Sequence, residues 1–221
     1  MPVDNVLSEK QMRLLTEPLY SSWKPDFPFV AFANVGLFYG VDLPPLVPDV
    51  LLSINVRLPE NLRPKINRSY FVWKYGKPPE VVVEVVSNKT GGEDTKKLQL
   101  YADVRVSNYI IFDPEHYLGD ETLRVYRLQG NRMVIDPTRP VRMPDVGLGM
   151  TLWPGRFEET DAEWLRWTDA EGNLIASGRE TAIDALEKAA EADARAAEMD
   201  RQNAKLRELL RKHNIPLEDS N

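Results

Sequence analysis

Six residues constrain this chain more than any others: Val81-Val82-Val83-Glu84-Val85-Val86, a β-branched apolar run with one carboxylate inside it. Such a run reads as a strand buried on both faces. An ionised group left unpaired in a dry interior is heavily penalised, so any fold that uses this strand must bring Glu84 a cation, hydrogen-bond donors or a raised pKa. A metal ion is one such cation. Because side chains alternate along a strand, Val82, Glu84 and Val86 share a face, and Glu84 emerges among apolar neighbours.

The remaining composition narrows what could sit there. At 221 residues and 43% apolar content the chain can build one well-buried domain with an appendage, not two full domains. There is no cysteine and there are two histidines, His116 and His213, so thiolate and disulfide chemistry is excluded and a histidine-built zinc site nearly so. Oxygen ligands must hold any metal. No apolar run approaches the ~20 residues that cross a bilayer. Met1-Pro2-Val3-Asp4 lacks the basic region and apolar core of a signal peptide. The expectation is a soluble cytoplasmic protein with no membrane partner.

A net charge of −6 opposes a simple nucleic-acid coat, yet the charge is unevenly spread. Residues 57–77 carry Arg57, Arg63, Lys65, Arg68, Lys74 and Lys77 against Glu60 alone, interleaved with Tyr70, Phe71, Trp73 and Tyr75. Two readings stand. The segment is a DNA-contacting surface whose cations track phosphates and whose rings stack on bases, or its aromatics pack the core while its charges are solvated.

Along the chain, Ser8 is a possible cap for a helix with Met12, Leu15 and Leu19 at helical spacing, which Pro18 should end. Strands are expected at Phe29 to Val35, Val50 to Ile54, around Tyr70 to Trp73, Val81 to Val86 and Tyr109 to Phe112, with a hairpin joining Leu123–Leu128 to Arg132–Ile135 through Gln129-Gly130-Asn131. Glu93 to about Val104 reads as a helix, with Lys97 inside the apolar arc of Leu100, Tyr101 and Val104 and Lys96 at the arc's edge. Lys97 either points towards the sheet or snorkels outward with its stem buried. Trp153, Trp164 and Trp167 read as packing, and Asp169 to Asn173 as a turn. Residues 180–213 contain no Gly or Pro and predict one long helix, with Pro216 beyond it. Heptads counted from Ile183 and Leu186 place Asp193 and Asp200 on the seam, so a solvated arm lying on its own domain or against a sister subunit fits better than a coiled coil. The division is residues 1–178 as an α/β domain and 179–221 as a charged helical arm.

Several spaced elements agree in order with one family: Phe32-Ala33-Asn34-Val35-Gly36, Pro48-Asp49-Val50, Glu84-Val85-Val86-Ser87, Lys97 to Tyr101, Asn108 to Pro114 and Leu152-Trp153-Pro154-Gly155. Over roughly residues 10 to 180 the chain resembles the bacterial restriction endonucleases of the Uma type, a branch of the PD-(D/E)XK nuclease superfamily. The resemblance implies a restriction-endonuclease-like fold: a mixed β-sheet core flanked by helices, here with added hairpins and a long C-terminal helix. It also implies a DNA-cleaving enzyme, with Asp49 and Glu84 as ligands to Mg²⁺ or Mn²⁺, assisted by the Val85 carbonyl, and Lys97 acting on the attacking water. The lysine usual two residues after the strand glutamate is missing, Val86 standing in its place, and Lys97 aligns with a position on the following helix that supplies it instead.

Each assignment has a plainer counterpart. Asp49 alone would be a turn residue after Pro48, and Glu93 reads as a helix-start cap favoured by the dipole. Glu9 or Glu17 could complete the site, with nothing to choose between them. The competing functions are a catalytically silent nuclease-fold protein that binds nucleic acid or protein, and a structural oligomer; a homodimer is expected.

Overall fold

The computed structural model describes residues 5–212; His213, Pro216 and the segment 1–4, on which expectations above rest in part, lie outside the described residues. The first helix, α1 (Val6–Ser21), is capped by Asn5, whose side chain accepts the Ser8 N–H at 2.9 Å, so the cap lies three residues before the expected Ser8. Pro18 lies inside the helix and does not end it. Its missing N–H removes one rung near the C-terminus, where the chain recovers as the N–H groups of Ser22 and Trp23 both donate to the Pro18 carbonyl.

Six strands form the main sheet: β1 (Phe29–Ala33), β3 (Val50–Ile54), β5 (Val81–Val85), β6 (Asn108–Phe112), β7 (Leu123–Gln129) and β8 (Arg132–Ile135), in the order β1-β3-β5-β6-β7-β8. All neighbours are antiparallel except β5 and β6. Parallel neighbours need a crossover, and helix α3 (Lys96–Val104) lies between these two strands in sequence. The α/β class with a mixed sheet, flanking helices, hairpins and a long terminal helix is the one the chain adopts.

The alternation of β5 divides the core. Val81, Val83 and Val85 pack with Met12, Leu15 and Leu19 of α1 and with a second sheet made of β9 (Val141–Met143), β10 (Leu148–Phe157) and β11 (Thr160–Thr168). Val82 and Val86 pack on the other face with Tyr101 and Val104 of α3 and with Tyr109 and Ile111. The valines of this strand are almost fully buried, each stabilising the fold by about 1.5–3 kcal/mol, and this offsets the cost of carrying Glu84 among them. Gln11 stitches α1 to β11, its amide donating to the Leu165 carbonyl at 2.8 Å and accepting the Leu165 N–H at 3.0 Å.

Around Tyr70 the expected strand shrinks to two residues, β4 (Tyr70–Phe71), paired with β2 (Leu37–Phe38) in a small separate sheet; Val72–Tyr75 coils into one helical turn, α2. Gly76 then reverses the chain in a left-handed conformation, φ 79°. Trp164 and Trp167 are buried packing residues, and Asp169 closes its turn by accepting the Asn173 N–H at 2.8 Å. The chain divides into a unit ending at Ser177 and a second beginning at Gly178. The second contains the 35-residue helix α4 (Gly178–Lys212), with no buried residue. No described helix is long and apolar enough to cross a membrane.

Candidate active site

Glu84 is 2% exposed and solves its burial with two donors. Lys97 Nζ donates to Oε2 at 2.9 Å and the Tyr101 hydroxyl donates to Oε1 at 2.5 Å. The helical arc of α3 therefore turns Lys97 inward, while Lys96 is exposed. Burial pushes the Glu84 carboxyl above the usual carboxylate range, with Lys97 and Tyr101 pulling the other way. For Lys97 burial acts downward, but the Glu84 and Glu93 carboxylates outweigh it and hold the ammonium in its charged form. Tyr101 is raised well above its ordinary value by burial and by Glu84, so it stays a donor.

Asp49 comes from the neighbouring strand. Asp49 immediately precedes β3, next to the last register pair, Val50 with Val83, which brings it to the Glu84 end of β5. Its Oδ2 accepts the Val85 N–H at 2.6 Å, which anchors the carboxylate to the end of β5. It lies close enough to Tyr101 and Tyr109 to contribute to the upward shift of both hydroxyls.

Glu93 does not cap the helix as its sequence position suggests. The helix begins at Lys96, its cap position is Thr95 without a side-chain cap bond, and Glu93 lies in the preceding turn with 7% exposure. Gly92, at φ 72°, accepts the Lys97 N–H at 2.9 Å through its carbonyl and so sets where the helix starts. Glu93 Oε1 accepts from Lys97 Nζ at 3.1 Å, Oε2 is buried without a hydrogen-bond partner, and the backbone carbonyl accepts the Tyr109 hydroxyl at 3.0 Å. The signal that could have found it is periodic: Glu93, Lys97 and Tyr101 recur every four residues, one helical face.

Glu84 and Glu93 thus share one ammonium group, while Asp49 is anchored at the end of the same strand. Glu84 uses one lone pair on each oxygen for Lys97 and Tyr101, which leaves further acceptor sites on each, and Glu93 Oε2 has made no bond. Hard oxygen donors with an orphaned buried carboxylate oxygen fit a divalent ion of the Mg²⁺ class, with waters completing the shell. Among the described residues no three acidic or histidine side chains already converge at ligand spacing, in keeping with Glu93 leaning on Lys97. Glu9 is held by Arg13 at 2.6 Å and Glu17 is exposed, both on the helix that covers the opposite face from α3, so neither joins this cluster.

In the basic segment, Tyr70 is fully buried with its hydroxyl 2.9 Å from that of Ser53, and it stacks on Tyr75 at 4.3 Å, so it is core and cannot stack on a base. Trp73 is 52% exposed, and Arg57, Arg63 and Lys65 are exposed.

Comparison with known proteins agrees with the resemblance in the sequence. Residues 2–153 match the profile of the Uma2 family, described as "Putative restriction endonuclease". Among solved structures the chain is similar to "a putative nuclease belonging to DUF820" from Anabaena variabilis ATCC 29413, with 20% identity and a TM-score of 0.48, over 65% of this chain and 75% of that one. No curated protein matches.

Proposed function

From the membership of this chain in the Uma2 family, we propose that it is a divalent-metal-dependent endonuclease that hydrolyses phosphodiester bonds in DNA. The observation that carries the reading is the Lys97 ammonium shared by the buried Glu84 and Glu93 carboxylates, with the Asp49 carboxylate anchored beside them at the end of β5.

In this reading Asp49 and Glu84 hold Mg²⁺, or Mn²⁺, with the Val85 carbonyl, and Glu93 is an additional acceptor. An ion held by these residues would supply Lewis acidity and lower the pKa of the attacking water. Tyr101 fixes the rotamer of Glu84 by donating to Oε1. The Val85 N–H does the same for Asp49. Lys97, kept protonated by its carboxylate neighbours, orients the attacking water and stabilises negative charge as it builds on the phosphate. Its side chain is 27% exposed, against 2% for Glu84, so Lys97 is more open to solvent than the carboxylate it holds.

The exposed Arg57, Arg63, Lys65 and Trp73 are the proposed DNA contacts of the basic segment, and the protein acts as a homodimer. Supercoiled plasmid provides the test: nicking that requires Mg²⁺ and disappears in Glu84→Ala supports the reading. DNA binding that ignores metal, with no cleavage, would assign the fold to a silent binding role.

A further inference from the structure

The long helix α4 leaves its apolar side chains in solvent: Leu186 is 71% exposed, Met199 63%, Leu206 55% and Leu209 53%. Counted from Ile183, heptads break on Asp193 and Asp200. Counted from Ala182, alternating steps of three and four residues meet only Ala, Met and Leu as far as Leu210, with Asn203 the one polar position. That is a sustained seam of four heptads. Alanine is too small to mark it in a hydrophobicity pattern, which is why the other count is the more visible one.

Small residues alone specify no partner; the flanking charges do. In this register Lys188 and Arg195 occupy positions just before the seam residues Ala189 and Ala196, while Asp193 and Asp200 occupy the flank on the other side. In a parallel, in-register pair, each such cation faces the residue five positions on in the second helix. Lys188 meets Asp193 of the partner subunit, and Arg195 meets Asp200 of the partner subunit. Antiparallel pairing would set cation flank against cation flank and aspartate against aspartate. Lys188 and Arg195 bind Asp184 and Glu191 of their own helix at 2.7 and 3.0 Å, both exposed pairs of the readily exchanged kind, whereas Asp193 and Asp200 have no ion pair within the chain among the described residues. Asn203 on the seam fixes register by pairing with its own copy across the interface. Leu186 and Leu209 lie on the flanks and widen the seam.

We propose that α4 is the dimerisation element of this protein, pairing with α4 of a second copy as a parallel, in-register two-stranded coiled coil along the seam from Ala182 to Leu210. The proposal gives the homodimer of the preceding reading its surface, polarity and register, and it is independent of the nuclease chemistry. Because every chain enters the coil after Ser177, parallel pairing joins both sheet-bearing units at the same end. The alanine half buries little area, so association is concentration-dependent and weighted to the Met199–Leu210 end.

Sedimentation of the full chain tests this. A dimer is expected, and Met199→Asp with Leu206→Asp should make it monomeric while the melting of the sheet-bearing unit is unchanged. As the chain has no cysteine, Ala185→Cys is a clean reporter: in a parallel pair it crosslinks to itself under oxidation. Lys188→Glu with Arg195→Glu should weaken the dimer about tenfold, and adding Asp193→Lys with Asp200→Lys should restore it. A monomer at every concentration overturns the proposal. So does a dimer indifferent to Leu206→Asp, or a dimer in which Ala185→Cys never self-crosslinks. Loss of plasmid nicking with dimerisation intact would bear only on the nuclease reading.

Discussion

Replacing Lys97 by methionine removes the one cation between Glu84 and Glu93 and keeps most of the apolar stem. Breaking a buried ion pair by deleting one partner costs about 3–5 kcal/mol, because the remaining charge is uncompensated. Two carboxylates depend on this ammonium, at 2.9 and 3.1 Å, but its side chain is 27% exposed, so the lower end of the range applies at pH 8. For a domain of this size about 3 kcal/mol corresponds to a drop of roughly 6–12 °C in Tm. The loss depends on pH in a definite direction. Burial already raises Glu84 above its ordinary value of 4.5, and without Lys97 it rises further. With the folded pKa above the unfolded one, the folded state binds more protons in the window between them. Stability therefore falls as pH rises through that window and is recovered below the unfolded value. Thermal melts in chelator should show a large deficit at pH 8 that shrinks towards pH 4.5, whereas Lys96→Met should shift stability by no more than about 0.5 kcal/mol. An equal deficit at both pH values, or none at either, would refute the inward placement of Lys97 and with it the coupling to Glu84.

Tyr101→Phe deletes the donor to Glu84 Oε1 and should cost about 1–3 kcal/mol of stability by urea melts, with cleavage falling further than binding because the Glu84 rotamer is no longer fixed. Gly91→Ala changes no charge, but its Cβ would stand 1.9 Å from Glu93 Oε1 and push that carboxylate off Lys97; activity should drop with the fold intact, and full activity would remove Glu93 from the site. Gln11→Ala strands the N–H and carbonyl of Leu165 where α1 meets β11, so a loss of about 2–3 kcal/mol in urea melts is expected with metal binding unaffected.

The parts of the site legible in the sequence were those with a strict local period. A carboxylate among valines in a two-residue alternation had to be buried, and a lysine inside the apolar arc of a helix could face the sheet. Asp49 was legible as a candidate, and what places it at the end of β5 is the pairing of β3 with β5 together with its bond to the Val85 N–H. Glu93 was missed because its role depends on where the helix begins. Gly92 delays that start to Lys96, turning an apparent cap into a buried acid. Tyr101 was visible only as an apolar residue; its hydroxyl acquires meaning from the strand beneath it. Elsewhere, Pro18 misled because one lost rung in the last turn of a well-packed helix is tolerated, and the expected strand at Tyr70 is cut short where Val72–Tyr75 coil into a helical turn.

The central claim, that Asp49 and Glu84 hold a divalent ion beside the Lys97 ammonium, is tested most directly by anomalous diffraction from crystals soaked in Mn²⁺. A single strong peak within ligand distance of both carboxylates, absent in Glu84→Gln crystals treated identically, is the predicted result. No peak there, with Lys97 still bridging Glu84 and Glu93 at saturating Mn²⁺, would contradict it.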